Sequence, residues 1–320
     1  MSRLRQFIFR QLPLVVTAVI LVLLFAIAAS MYDGFFSWGV IGNILSDNAF
    51  LGIAAIGMTL VIFTGGIDLS VGAVIGFTSI LTATLIVGQG WPPALAWAFA
   101  LACGAGLGAT MGWLIHSFKL PPFLITLAGL FFARGVGFWI STESVGINHS
   151  LYHELSGFRL QLGGFALSTA ALTLIVATAG GWLLGHYTRF GRNLLAIGGS
   201  ENSALLMSLP IGPTKIAAYA INGLCAALAG IIATLYTGSG NPSMGIGLEL
   251  DAIAVVVIGG TLLTGGRGHV LGTLLGLLIF GTIQMALLFD GRLSSWWMRI
   301  VVGLLLLLFI LLQRALLRKR

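Results

Sequence analysis

Charge is what this sequence lacks most. Only 8% of its 320 residues are charged, against 58% hydrophobic, whereas soluble globular chains carry about 25% charged residues. So few charges cannot cover a water-facing surface, which excludes a soluble enzyme or binding domain. Most of the chain must face lipid or itself, so it is an integral membrane protein. Cysteine is scarce too. Cys103 and Cys225 both lie inside apolar runs, where they read as small packed thiols with no metal-ligand cluster around them. The three lysines, Lys119, Lys215 and Lys319, never follow a glycine. A Gly-x-x-x-x-Gly-Lys phosphate loop is therefore absent, and with it a built-in ATPase of that kind. His-Glu-x-x-His and Gly-x-Ser-x-Gly are missing as well, against a hydrolase. His149 and His153 beside Glu154 are read as solvated loop residues, not as a metal site. The net charge of +7 would suggest nucleic acid in a soluble chain, but the basic residues here sort by membrane topology and no nucleic acid is expected.

What is present is long apolar sequence, as at 12–31, 166–185 and 300–312. Barrel strands would alternate apolar and polar over about ten residues. Continuous runs predict helices instead, each needing roughly 20 apolar residues and satisfying its own backbone. The basic N-terminus is followed by an apolar stretch of about 19 residues, longer than a secretory core of about 7–15, so it reads as an uncleaved first span. The expectation is one all-α integral membrane domain, 1–320, with about ten transmembrane helices. They fall near 12–31, 46–64, 69–88, 93–115, 121–141, 166–186, 214–237, 248–264, 270–289 and 294–315, separated by glycine- and proline-rich breaks. With the N-terminus in the cytoplasm, Arg3, Arg5, Arg10, Lys119, Arg189, Arg192, Lys215, Arg267, Arg314, Arg318, Lys319 and Arg320 all fall inside. Only Arg159 and Arg292 fall outside. That asymmetry is what orientation by basic residues requires, and it puts both termini in the cytoplasm. Trp38, Trp91, Trp139, Trp296 and Trp297 lie near span ends, as interfacial anchors do.

The opposite face collects Asp33, Asp47, Glu143, Glu154, Glu249 and Asp290, read as solvated loop charge, with a docking surface for an extracytoplasmic protein as the alternative. Arg134 and Arg299 lie within spans and Asp68 and Asp251 at span edges. Such groups are functional candidates in lipid, but snorkelling or structural pairing is the reading taken for both arginines. No carboxylate falls at the centre of a span, which argues against proton coupling. Gly104, Gly106 and Gly108 inside one span read as a close helix-packing face. Thr64-Gly65-Gly66 with Gly72 and Gly76 is echoed 200 residues later by Thr264-Gly265-Gly266 with Gly272 and Gly276, an internal repeat of the kind transporters use.

The longest inner connection is 187–214. In it Ser200 can cap a short helix over about 201–209, with Glu201 in the first turn. Its apolar residues could rest on lipid headgroups or insert into a partner protein.

Three motifs resemble a known family. Gly65-Gly66-Ile67-Asp68-Leu69-Ser70-Val71-Gly72, Gly191-Arg192-Asn193-Leu194-Leu195-Ala196-Ile197-Gly198-Gly199 and Glu249-Leu250-Asp251-Ala252-Ile253-Ala254, running on to Thr264-Gly265-Gly266-Arg267-Gly268, are similar to those of permease subunits in sugar-importing ABC transporters, the ribose, arabinose, xylose and galactose group. Their order and spread cover almost the whole chain. Asp47-Asn48-Ala49-Phe50-Leu51-Gly52-Ile53, Glu143-Ser144-Val145-Gly146-Ile147-Asn148-His149, and Phe289-Asp290-Gly291 with Leu293-Ser294-Ser295-Trp296-Trp297 look most like the galactofuranose-type permease of that family.

The resemblance implies a multi-pass subunit of the bacterial inner membrane, not an enzyme. A periplasmic sugar-binding protein would deliver a monosaccharide, galactofuranose or a related sugar. A separate cytoplasmic ABC ATPase would hold ATP and Mg, so this chain binds no cofactor. A second, related permease would complete a heterodimer, with a homodimer as the alternative. The ATPase-coupling residues implied are Gly191, Arg192, Asn193, Gly198, Gly199, Glu201, Ala204 and Met207. Gating or pathway residues would come from Gly65, Gly66, Asp68, Ser70, Glu249, Asp251, Gly265 and Gly266. The chain departs from the family pattern after the coupling helix, where glycine is usual and Ser208-Leu209-Pro210 stand here. A proton-coupled secondary sugar carrier is the competing reading.

Overall fold

The structure, a computed structural model, describes residues 3–162, 165–292 and 296–318. Fourteen helices dominate the described residues: α1 Arg3–Met31, α2 Trp38–Asp47, α3 Ala49–Phe63, α4 Val71–Val87, α5 Pro93–Ser117, α6 Pro122–Ile140, α7 Ser150–Gly157, α8 Thr169–Tyr187, α9 Arg189–Gly199, α10 Glu201–Leu206, α11 Ile211–Thr237, α12 Leu248–Ile258, α13 Val270–Asp290 and α14 Trp296–Arg318. Four short strands interrupt them as two antiparallel ribbons. One pairs β1 Val145–Gly146 with β4 Ser239–Gly240, and the other pairs β2 Arg159–Leu162 with β3 Phe165–Ser168.

A helix lies at each of the ten expected windows, but the helices are not ten of spanning length. Six are long and apolar enough to cross a membrane, in α1, α5, α6, α8, α11 and α13. The pair α2 and α3, bent by 58° at Asn48, makes up to seven. At 17, 15 and 11 residues, α4, α3 and α12 are shorter. The apolar part of α14, Trp296–Phe309, is short as well. Glycine sets two of these stops: Gly65 after α3 takes φ +79° and Gly260 after α12 takes φ +89°, a backbone that only glycine adopts freely. The window expected to open a helix at 166 instead begins with β3. The helix starts at Thr169 because the Ser168 hydroxyl caps it, accepting from the Ala171 N–H at 3.2 Å. Leu293-Ser294-Ser295, Lys319 and Arg320 lie outside the described residues.

The short helices form the centre. Every residue of α3 except Phe50 is buried, and α4 is almost as enclosed. A helix apolar on all sides belongs inside a bundle, and these two are wrapped by α11, α5, α6, α8 and α13. The most extensive helix pair is α5 with α11. Cβ atoms on Gly104 and Gly108 would strike the Gly223 and Tyr219 carbonyls, and one on Gly223 would strike the Gly104 carbonyl. Glycine therefore sets the backbone approach there. Gly106, in the same run, faces open space. Between α3 and α13 the Thr59 and Thr273 hydroxyls meet at 2.7 Å, a polar clip inside the apolar core.

The molecule has two distinct ends. His116 at the close of α5 packs on Gly212 at the start of α11, beside α9 and α10. The two β ribbons and α7 occupy the other end. There Tyr152, 3% exposed, accepts from Trp97 Nε1 at 3.0 Å and meets the Thr234 hydroxyl at 3.1 Å.

Candidate coupling site and buried polar sites

The connection expected as a coupling loop is a helical hairpin. Thr188 caps α9 by accepting from the Gly191 N–H at 3.2 Å, and Ser200 caps α10 by accepting from the Ser203 N–H at 3.2 Å. Glu201 lies in the first turn of α10, where its charge favours the helix dipole, and pairs with Lys215 at 2.7 Å. Ala204 is buried with Ile197 and Ile211, seating α10 on α9 and α11. The expected helix over 201–209 ends at Leu206, because Ser208 turns left-handed at φ +55°. That position thus makes the demand for which the family's glycine is suited, and serine meets it under strain. Ser208→Gly is expected to stabilise the chain by about 1 kcal/mol, read as a raised thermal midpoint of the detergent-purified protein.

Beyond its seat, α10 leaves an apolar knob in the open. Leu205, Leu206 and Met207 are 65%, 87% and 71% exposed. Arg192, Arg189 and Arg267 are exposed on the same end, while Asn193 is half-buried. The base beneath the knob is closely packed. A Cβ on Gly191 would strike the Gly185 carbonyl, and one on Gly198 the Phe63 carbonyl. The His186 and His269 rings stack at 4.0 Å, and His186 Nε2 accepts from the Val270 N–H at 3.1 Å, tying the end of α8 to the start of α13.

The three glycine-bearing motifs, far apart in sequence, meet at this base. The Gly266 N–H donates to the Phe63 carbonyl at 3.0 Å. Cβ atoms on Gly265 and Gly266 would press on the backbones of Gly65, Gly198 and Gly199. Both echoed turns use a left-handed first glycine, Gly65 at φ +79° and Gly265 at φ +80°. A cavity of about 430 Å³ opens there, lined by Gly198, Gly199, Leu262, Thr264, Gly265 and Arg267 among others. Nothing in the sequence spacing signalled that these turns touch.

The remaining motif residues divide into two buried polar sites. Asp68 is 1% exposed. One carboxylate oxygen accepts from the Ser70 N–H at 2.8 Å and the Ser70 hydroxyl at 2.6 Å, and the other from Asn222 Nδ2 at 2.8 Å. Asn222 sits midway along α11, so this carboxylate, at the edge of α3 and α4 where the sequence placed it, is enclosed beside the middle of a long helix. It lies on the extended segment between α3 and α4, which the count of spans could not place in depth. Its three donors make it a latch between that segment and α11. Asn222→Ala is expected to cost about 2 kcal/mol, because the buried carboxylate loses a charged hydrogen bond. A lowered thermal midpoint would register it.

Glu249 is not the solvated outer-loop acid that the sequence suggested. It opens α12 against α4, and a Cβ on Gly72 would meet its carboxylate. Asp251 follows in the same first turn, within electrostatic reach of Glu249 and of Arg299 on α14. Arg134 on α6 faces Glu249 and donates from Nη1 to the Pro242 and Met244 carbonyls, the latter at 2.8 Å. Sequence alone gave no reason to group Arg134 with Glu249. The one signal was the Gly72–Gly76 spacing, which the structure uses to make room for both side chains.

Comparison with known proteins fits this architecture. Residues 40–310 match the family described as branched-chain amino acid transport system / permease component. The inner membrane ABC transporter permease protein YjfF of Escherichia coli K12 is 50% identical over 96% of this chain and 93% of its own. The fructose import permease protein FruG of Bifidobacterium longum is 36% identical, over 96% of this chain and 92% of its own. The ribose import permease protein RbsC of Bacillus subtilis is 40% identical over 85% and 84%. No solved structure matches the chain. The chain therefore belongs to this family of ABC-transporter permease components, whose members here include sugar import permeases, and is a multi-pass membrane transport subunit rather than an enzyme.

Proposed function

We propose that this chain is one permease of an ATP-driven importer that carries a monosaccharide, galactofuranose or a related sugar, across the bacterial inner membrane. The observation that carries the reading is the apolar knob on α10, held out over a glycine-packed base in a chain with no nucleotide-binding loop. A helix that exposes leucines beside arginines at a membrane protein's end fits a groove with an acidic rim on a partner. That partner is the cytoplasmic ABC ATPase, which holds ATP and Mg, so Gly191, Arg192, Asn193, Gly198, Gly199, Glu201, Ala204 and Met207 belong to the coupling element. In this reading the chain has ten spans, the short central helices included, with both termini cytoplasmic. A periplasmic sugar-binding protein docks on the end with the β ribbons, and a second, related permease completes the path as a heterodimer. The names of the relatives, fructose and ribose permeases among them, support a sugar. The motifs at 47–53, 143–149 and 289–297 support the galactofuranose type.

Purification of the tagged chain in mild detergent tests this directly. Recovery of an ABC ATPase and a second permease, with uptake that stops when ATP is depleted, is the expected result. Recovery of the chain alone, with uptake that follows the proton gradient, would make it a secondary carrier.

A further inference from the structure

We infer that Arg134, Glu249, Asp251 and Arg299 form a hydroxyl-binding band on the wall that this chain presents to its partner permease, lining the sugar path. The inference rests on the sugar-permease reading above and names where in the chain the cargo is handled.

The band is built, not incidental. Along α4, Gly72 and Gly76 lie one turn apart and leave a groove. A Cβ at Gly72 would meet the Glu249 carboxylate and the Gly245 carbonyl, and one at Gly76 would meet the Arg134 guanidinium and the Pro242 and Met244 carbonyls. The segment 241–247 lies in that groove and delivers α12 with Glu249 and Asp251 in its first turn. Four helices thus carry or shape one run of charge, with Arg134 on α6, Glu249 and Asp251 on α12 beside α4, and Arg299 on α14. Arg134 lies roughly 18 Å along α6 from its start near the coupling end, well inside membrane depth.

The groups retain unused hydrogen-bonding capacity. Arg134 employs Nη1 on two carbonyls, and its remaining N–H donors make no protein hydrogen bond among the described residues. The second Glu249 oxygen, Oε2, is enclosed with no hydrogen-bond partner among the described residues. Arg299 lies over the Trp296 ring at 4.9 Å. Next to this run the surface is open: Ile246 and Leu250 are 64% and 63% exposed. Arg134, Glu249 and Asp251 are half-buried and Arg299 is exposed; charged side chains turned toward lipid are costly, so this run points to a wet cavity and not to the bilayer. Two cations and two anions sum to zero, which suits a neutral polyhydroxyl solute offering both donors and acceptors. Hydrogen bonding spread over several sites also lets cargo enter and leave.

The test labels single cysteines in the intact importer with the membrane-impermeant thiol reagent MTSET. The background carries Cys103→Ala and Cys225→Ala, and the sites are Leu250→Cys, Ile246→Cys and, as a lipid-facing control, Val176→Cys on α8. Leu250→Cys and Ile246→Cys are expected to react at least about ten-fold faster than Val176→Cys, as water-exposed positions do. Equal, slow labelling at all three would place the band against lipid and overturn the inference. In the same importer Glu249→Gln, which keeps size but alters hydrogen bonding, is expected to raise the KM for uptake at least about five-fold. The sugar used is whichever of ribose, xylose, fructose or galactose the wild type accumulates. ATPase stimulation by the binding protein should persist. An unchanged KM would show that the carboxylate does not handle the sugar. Wild-type uptake that persists without ATP would instead fail the importer reading, and the labelling result would stand apart from it.

Discussion

Leu206→Asp is expected to lower sugar uptake by roughly 30-fold or more, the loss of one central interface contact worth about 2 kcal/mol. Insertion should stay normal. Leu206 is 87% exposed and supports nothing within the chain, so its replacement should change intrinsic stability by no more than about 0.5 kcal/mol. The buried Ala204, two residues earlier, holds the opposite position: it packs with Ile197 and Ile211 and seats α10. Uptake and ATP hydrolysis measured together in reconstituted importer separate the two. Loss of uptake with the ATPase no longer co-purifying, and wild-type levels of inserted chain, is the expected pattern. Normal transport by Leu206→Asp would remove α10 from the coupling role and return the knob to the lipid surface.

The largest structural effect is expected where α5 meets α11. Gly108→Leu should destabilise the chain by about 3 kcal/mol or more, since the new side chain would drive into the Tyr219 carbonyl and neither backbone can retreat within a packed core. Gly106→Leu, two residues away, should be nearly neutral, because a side chain there points into open space. Both substitutions add the same apolar volume to the same helix, so hydropathy, helix propensity and insertion are matched. The thermal midpoint of each purified variant decides the matter. Equal losses would mean that α5 and α11 do not approach through Gly104, Gly108 and Gly223.

Much of the α9–α10 hairpin was legible beforehand. Ser200 and Glu201 announced the start of a helix through capping and dipole chemistry, which act over three or four residues and so are visible in sequence. The departure at Ser208 was legible too: the family's glycine implied a left-handed residue, and Ser208 adopts φ +55°. Glu249 was not legible. It reads as a loop acid in sequence because nothing local says that α4 withdraws its side chains at Gly72 and Gly76 to admit it. The partners of Arg134 and Asp68 were hidden for the same reason, lying 110 and 154 residues away in Met244 and Asn222.

Solvent, element type and family follow from the residues alone. Scarcity of charge forces the chain into lipid, long apolar runs force helices, and three motifs in order carry the likeness to sugar permeases. Each of these follows from composition or from residues that lie together in the chain. Three-dimensional packing was needed to make α3, α4 and α12 short central helices, to bring the two Thr-Gly-Gly turns onto the Gly198-Gly199 corner, and to set Arg134 facing Glu249. Those outcomes depend on how closely two backbones approach, and a glycine's missing Cβ shows its effect only once its neighbour is in place.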